Sequence, residues 1–201
     1  MRKPKLRELG EALKVVWKPY TSKFPKEPSI PPTTFRGKPQ YDEKKCIGCG
    51  ACAQVCPSRA IEVTDDVATK KRKLSLRYDI CIFCGQCHAY CTTEEGITLS
   101  NEYDLATLDR STTVETVEKD LVLCEMCGAV VATLDHLCWI SRKLGTLSYA
   151  NPTLILAALG ELSLVEAGAE PSKELSPSRS DLLRILCPEC RRSVYLREEW
   201  K

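Results

Sequence analysis

Residues 46–57 read CIGCGACAQVCP and residues 81–91 read CIFCGQCHAYC. Each stretch sets four cysteines at i, i+3, i+6 and i+10: Cys46, Cys49, Cys52 and Cys56, then Cys81, Cys84, Cys87 and Cys91. The first three sulfurs of a run leave a loop too short to build its own ladder, so they converge on one centre. The fourth lies a helical turn further on and reaches a neighbouring centre. Thiolates at this spacing form the cage of a [4Fe–4S] cube. Cys46, Cys49, Cys52 and Cys91 are expected to hold one cube, and Cys81, Cys84, Cys87 and Cys56 the other. A chain with two such cages side by side is expected to carry electrons.

Such a loop must turn its backbone amides inward, toward sulfide charge. Gly48, Gly50 and Gly85 supply the freedom for that turn, while Ala51 and Ala53 keep side chains out of the way. Pro57 ends the short helix that carries the exchanged ligand. The second run has Thr92 at that place, which reads as a changed exit path with the ligand intact. Phe83 stands where the first run has Gly48, either shielding one cube from water or simply packing. His88, between two ligands, reads as a satisfied helix histidine.

The chain has 201 residues, 13 of them cysteine. This length suits one to two small domains. Thirteen cysteines without an apolar leader point to metal ligation in a reducing compartment, not to disulfides. The longest apolar stretch, residues 154–165, is interrupted by Gly160 and Glu161 and too short to span a bilayer. The formal charge of +2 counts thiols as neutral. Two cubes and a tetrathiolate metal site at about −2 each bring the loaded protein near −4, which argues against nucleic-acid binding through bulk charge. Residues 1–40 are nevertheless basic, with ten Lys/Arg against three Asp/Glu. Three glutamines and two asparagines among many charges lean toward a thermophilic source.

The expected architecture is α+β in three parts. Residues 1–40 form an amphipathic helix and a proline-rich docking arm. In the helix, Leu6, Leu9, Leu13, Val16 and Trp17 share a face between Lys5, Glu8, Glu11, Lys14 and Lys18. It docks on a membrane surface or a partner, or packs on its own domain. Six prolines in residues 19–40 make an extended arm. Residues 41–111 form the two-cube domain, with strands at 60–64, 74–80 and 96–100. Lys70, Lys71, Arg72 and Lys73 sit at the tip between repeats as a solvated turn, or as a docking point for an acidic partner.

Residues 112–201 carry a different metal signal. Cys124 and Cys127 form one CxxC knuckle, and Cys187 and Cys190 another. Four thiolates from two knuckles hold a tetrahedral Zn²⁺ or, as the alternative, a single Fe. The expectation is a zinc-ribbon-like domain with strands at 117–123, 182–186 and 193–197. A helical hairpin is inserted, one helix marked by Val130, Leu134, Leu137 and Leu144 and the second over 154–164, followed by a loop at 167–180. Cys138 reads as a buried thiol outside the site, and His136 as structural.

Phe35-Arg36-Gly37-Lys38-Pro39 ahead of CIGCGACAQVCP, then CIFCGQC, then CxxC and CPEC in the tail, resembles the small ferredoxin subunit of formate hydrogenlyase and component H of hydrogenase-4. The two-cube part alone is similar to the 23-kDa ferredoxin subunit of respiratory complex I. The resemblance implies a pseudo-two-fold bacterial-type ferredoxin fold, two [4Fe–4S] clusters, and no catalysis by the chain on its own. It implies a peripheral subunit on the cytoplasmic side of a membrane-bound [NiFe] hydrogenase. There it relays electrons between an electron-input module or ferredoxin and the hydrogenase small subunit. The alternatives are the ferredoxin subunit of a complex I-like NADH/ferredoxin:quinone oxidoreductase, or a free-standing soluble ferredoxin. Thr92, where proline is usual, is a departure from the pattern.

Overall fold

The computed structural model describes residues 6–18, 27, 29–161 and 179–198. The chain divides after Phe35 into two compact units. In the first, helix α1 (Leu6–Trp17) places Glu8 in its first turn and Lys14 in its last, each favoured by the helix dipole. Leu9, Leu13, Val16 and Trp17 are exposed along it, Trp17 at 91%. Part of the expected arm, residues 19–26 and 28, lies outside the described residues.

The second unit begins with strand β1 (Pro39–Tyr41), helix α2 (Ala51–Gln54), and strands β2 (Ile61–Asp66) and β3 (Lys71–Arg77). It continues with helix α3 (Gln86–Ala89), strand β4 (Ile97–Leu99), and strands β5 (Val114–Leu123) and β6 (Val130–Thr133). Helices α4 (Leu134–Leu144), α5 (Pro152–Glu161) and α6 (Pro188–Glu198) complete it. β1 pairs antiparallel with β4, and β2, β3, β5 and β6 form an antiparallel sheet in that order. β3 alternates charge with leucine, so Leu74 and Leu76 point inward and are 1% and 0% exposed. They anchor a core shared by Ile61, Ile97, Val117 and the cage cysteines Cys46, Cys52 and Cys87. Because β5 pairs along the whole of β3, from Lys71↔Asp120 to Arg77↔Val114, one sheet runs through residues 41–111 and on into 112–201.

The repeat in the cysteine runs is also a repeat of backbone shape. Gly50 and Gly85 both stand at φ 77° before their short helices. Gly48 and Phe83 match at 64° and 52°, and Arg59 and Glu94 at 53° and 65°. Phe83 thus holds a left-handed conformation that costs a non-glycine residue about 1–2 kcal/mol. The cage imposes that shape at both sites.

Three expectations are corrected. Lys71, Arg72 and Lys73 belong to strand β3, not to a solvated turn. Arg72 pairs with Asp65 through two hydrogen bonds of 2.6 and 2.8 Å and is only 16% exposed. The turn itself is residues 67–70. The ribbon strands at 182–186 and 193–197 are absent. Arg179–Leu183 is a 3-10 turn, and residues 193–197 lie within helix α6. Pro188 at the first helical position is preorganised for a helix, and Glu189 beside it suits the positive end of the dipole. Finally, the helix marked from Val130 starts at Leu134, and Val130 is in β6. Its partner α5 packs Leu154 and Ala157 against Leu137. The part of the expected loop at 167–178 lies outside the described residues.

Candidate metal centres

Two cavities of similar size flank the ferredoxin-type core. The first encloses, with its open mouth, ≈ 300 Å³, and its wall holds Cys46, Cys49, Cys52 and Cys91 beside Tyr41, Ile47, Leu74 and Ile97. The second encloses ≈ 330 Å³ and is lined by Cys56, Cys81, Cys84 and Cys87 beside Pro39, Ile61, Leu76 and Phe83. Each cavity therefore takes three sulfurs from one run and the fourth from the other. The exchange follows from the chain path: α2 and α3 each end one turn beyond their own loop, against the facing cavity.

Burial and hydrogen bonding divide the sulfurs into two kinds. Burial pushes the Cys52 thiol up to about 12 and the Cys87 thiol to about 11. At the exchanged ligands burial also raises the pKa, but hydrogen-bond donors outweigh it. Cys56 is lowered by the Ser58 hydroxyl and the N–H groups of Ala60, Ile61 and Ser58. Cys91 is lowered by the Thr93 hydroxyl and the N–H groups of Thr93, Ile97 and Gly96. The loops after the two runs thus turn matching amides toward sulfur, an arrangement that favours an anion. Apolar walls and inward amides suit the chemistry of a thiolate-held iron–sulfur cube.

Several residues that grip the cages carry no motif of their own. Arg36 donates from Nη1 to the Cys84 carbonyl at 3.1 Å, tying the segment before β1 to the second loop. Arg72 donates to the Gly48 carbonyl at 3.0 Å, and the Thr133 hydroxyl donates to the Ile47 carbonyl at 2.5 Å. Lys119 bonds the Glu43 carbonyl at 2.5 Å and Asp135 at 2.8 Å. The Tyr78 hydroxyl reaches the Pro39 carbonyl at 2.8 Å and also the Glu115 carboxylate, which accepts from the Tyr41 amide at 2.7 Å. Arg36 had a signal in sequence through its place beside Gly37, and Arg72 stood out only as part of a basic run read as a turn.

The third thiolate group forms where β5 turns into β6 and where α6 begins. The ligand atoms of Cys124, Cys127, Cys187 and Cys190 all lie within 4.8 Å of one another. A tetrahedral zinc with Zn–S bonds of 2.3 Å requires S–S edges of about 3.8 Å, and the Cys127–Cys187 sulfur pair stands at 3.6 Å. Cys124 is fully buried. Burial raises its pKa, but the N–H groups of Cys187, Cys127 and Met126 bring it down to about 7. Leu186 and Val194 close over the site. Cys138 is buried elsewhere, its Sγ 3.6 Å from the Ala157 carbonyl. His136 lies against Trp139, and burial, with the Arg72 charge, lowers its pKa.

This is a mixed helix-and-sheet protein built on a ferredoxin-type 4Fe-4S domain. Residues 45–95 match the family described as "4Fe-4S dicluster domain". NADH-quinone oxidoreductase subunit I 2 of Geobacter metallireducens is 34% identical over 101 residues, 46% of this chain and 76% of that protein. Formate hydrogenlyase subunit 6 of Escherichia coli is 39% identical over 120 residues, 58% of this chain and 66% of that protein. NAD(P)H-quinone oxidoreductase subunit I of Gloeobacter violaceus is 36% identical over 112 residues, 51% of this chain and 53% of that protein. The match thus spans about half the length of the last relative. The chain belongs to the family of iron–sulfur electron-transfer subunits of oxidoreductase complexes that includes quinone oxidoreductase subunit I and formate hydrogenlyase subunit 6.

Proposed function

We propose that this chain relays electrons through two [4Fe–4S] clusters within a membrane-bound [NiFe] hydrogenase complex of the formate hydrogenlyase type. Cys46, Cys49, Cys52 and Cys91 hold the first cluster, and Cys81, Cys84, Cys87 and Cys56 the second. One observation carries the reading: two cavities, each walled by four cysteines drawn from both runs. When bound, the clusters supply one-electron redox capacity without bond making. The protein's part is to keep the sulfurs dry with Leu74, Leu76 and Ile97, and to fix the loops from outside with Arg36, Arg72, Lys119 and Thr133.

Cys124, Cys127, Cys187 and Cys190 hold a Zn²⁺ that locks α6 to the β5–β6 turn. Residues 1–40 dock, residues 41–111 hold the clusters, and residues 112–201 brace them. Docking is supported by the exposed apolar face of α1 and the basic charge of the segment. No helix among the described residues is long and apolar enough to cross a membrane; the place proposed, from the resemblance to the hydrogenase subunits, is peripheral, on the cytoplasmic face. The partners proposed are the hydrogenase small subunit and an electron-input module or ferredoxin.

A second reading, the ferredoxin subunit of a complex I-like quinone oxidoreductase, is favoured by the likeness to subunit I. The tail with its four gathered thiolates, part of the resemblance to the formate hydrogenlyase subunit, favours the first. Tagging the chain in its native cell and isolating it anaerobically in mild detergent separates the two. Hydrogenase small and large subunits are the expected companions. Quinone oxidoreductase subunits would establish the second reading, and a companionless chain would overturn both.

A further inference from the structure

The two cages match in backbone but not in the hydroxyl groups aimed at their sulfurs. In the first, the Thr92 hydroxyl lies 3.2 Å from Cys49 Sγ, the Thr93 hydroxyl 3.5 Å from Cys91 Sγ, and the Tyr41 hydroxyl 3.9 Å from Cys52 Sγ. In the second, the described contact of this kind is Ser58 to Cys56 Sγ at 3.6 Å. Thr93 and Ser58 stand at equivalent places in the repeat, each two residues after the exchanged cysteine, so that pair cancels. Thr92 does not cancel. Its counterpart is Pro57, which has no side-chain donor to offer Cys84.

A metal-bound thiolate carries no proton, so the threonine hydroxyl must be the donor. Hydrogen bonds to cluster sulfurs stabilise the more negative, reduced state and raise the potential. The surrounding charge leans the same way. Arg72 and Lys119, with side chains 16% and 10% exposed, brace the first loop, although each is paired with a carboxylate. The second loop has Arg36, which is exposed and therefore well screened.

Resting on the cluster assignment above, we infer that Thr92 is a positioning residue that tunes the first cluster. Its hydroxyl, donated to Cys49, holds that cluster at a higher potential than its neighbour, so that the first electron taken up settles there. The threonine at the usual proline position is then a functional departure. Its 3.2 Å contact is the shortest of the hydroxyl contacts that set the two halves of the repeat apart, and the Tyr41 hydroxyl at 3.9 Å from Cys52 adds to it in the same direction.

The test is an anaerobic redox titration of the full-length reconstituted protein, followed by EPR and visible absorbance, with wild type, Thr92→Val and Thr92→Ser. Iron content is measured in each. With iron unchanged, Thr92→Val is expected to move the higher of two midpoints downward, narrow the gap and leave the lower one in place. Thr92→Ser is expected to restore the wild-type values, which a role in packing alone would not do. The inference is overturned if Thr92→Val, fully loaded, titrates like wild type, if the lower midpoint moves instead, or if serine does not rescue. Thr92→Pro, which copies the other half of the repeat, provides a second variant should valine disturb folding, with the same shift expected. A wild-type protein that takes up no iron in its cages fails at the cluster assignment instead, which is a different and earlier result.

Discussion

Replacing Gly37 with alanine is expected to destabilise the ferredoxin-type unit by about 3 kcal/mol, at the upper end of what overpacking costs. A β-carbon at that position meets the Ser100 and Glu102 carbonyl oxygens, each at 2.5 Å, and the Glu102 amide nitrogen at 3.1 Å. All three are backbone atoms and cannot swing aside. They also belong to the pairing that seats β1, because Gly37 donates to Ser100 and Lys38 to Glu102 at this crossing. Moving them would loosen Arg36, which grips the Cys84 carbonyl, and Pro39, whose carbonyl takes the Tyr78 hydroxyl. Denaturant titration and iron uptake read the effect, with cluster loading expected to fall along with stability. Gly10→Ala is the contrast: nothing lies within 4 Å of the added carbon, and in α1 it should be neutral or favourable to the helix by about 1 kcal/mol. Equal behaviour of the two variants would mean the close approach at Gly37 is not what holds β1.

Cys124→Ser is expected to abolish the four-thiolate site and release α6. Structural zinc in small sites contributes on the order of 10–16 kcal/mol of apparent binding free energy, which exceeds the stability of many whole domains. The serine would also sit where no solvent reaches, among Leu186, Val194 and Cys187. Metal analysis should show the loss of one zinc per chain. Limited proteolysis should open residues 179–198 while residues 36–123 stay protected. Cys138→Ser should keep the zinc, since Cys138 lies in α4 against the Ala157 carbonyl of α5 and not with the knuckles. Retained zinc in Cys124→Ser would show that the metal is held by other groups.

The cages were legible because their chemistry is local: spacing within each run determines which sulfurs converge, and the same offset locates α2 and α3. Strands β2 and β4 followed from their place beside the cages, and β3 in part: its residues 74–77 were expected, its first three were read as a turn, and residues 78–80 prove to be a turn. What joins the halves was not legible. Nothing near Leu74 names Val117 as its partner, yet that register carries the sheet from the cluster domain into the tail. Arg72 illustrates the cost of reading locally. Three lysines around it suggest a solvated turn, whereas pairing with Asp65 and the Gly48 carbonyl draws it under the first loop. In the tail, the second knuckle opens a helix because Cys187-Pro188 starts one, where a ribbon strand was expected. Thr92 was visible as an oddity, but its meaning needed the fold that sets its hydroxyl against Cys49.

The most direct measurement is metal and sulfide analysis of the anaerobically reconstituted full chain, joined to EPR of the dithionite-reduced form. The account predicts about eight iron and eight sulfide per chain from two four-iron cubes, one zinc, and a spectrum split by interaction between two reduced clusters. Zinc in place of iron in either cysteine run, or a single uncoupled cluster, would contradict it.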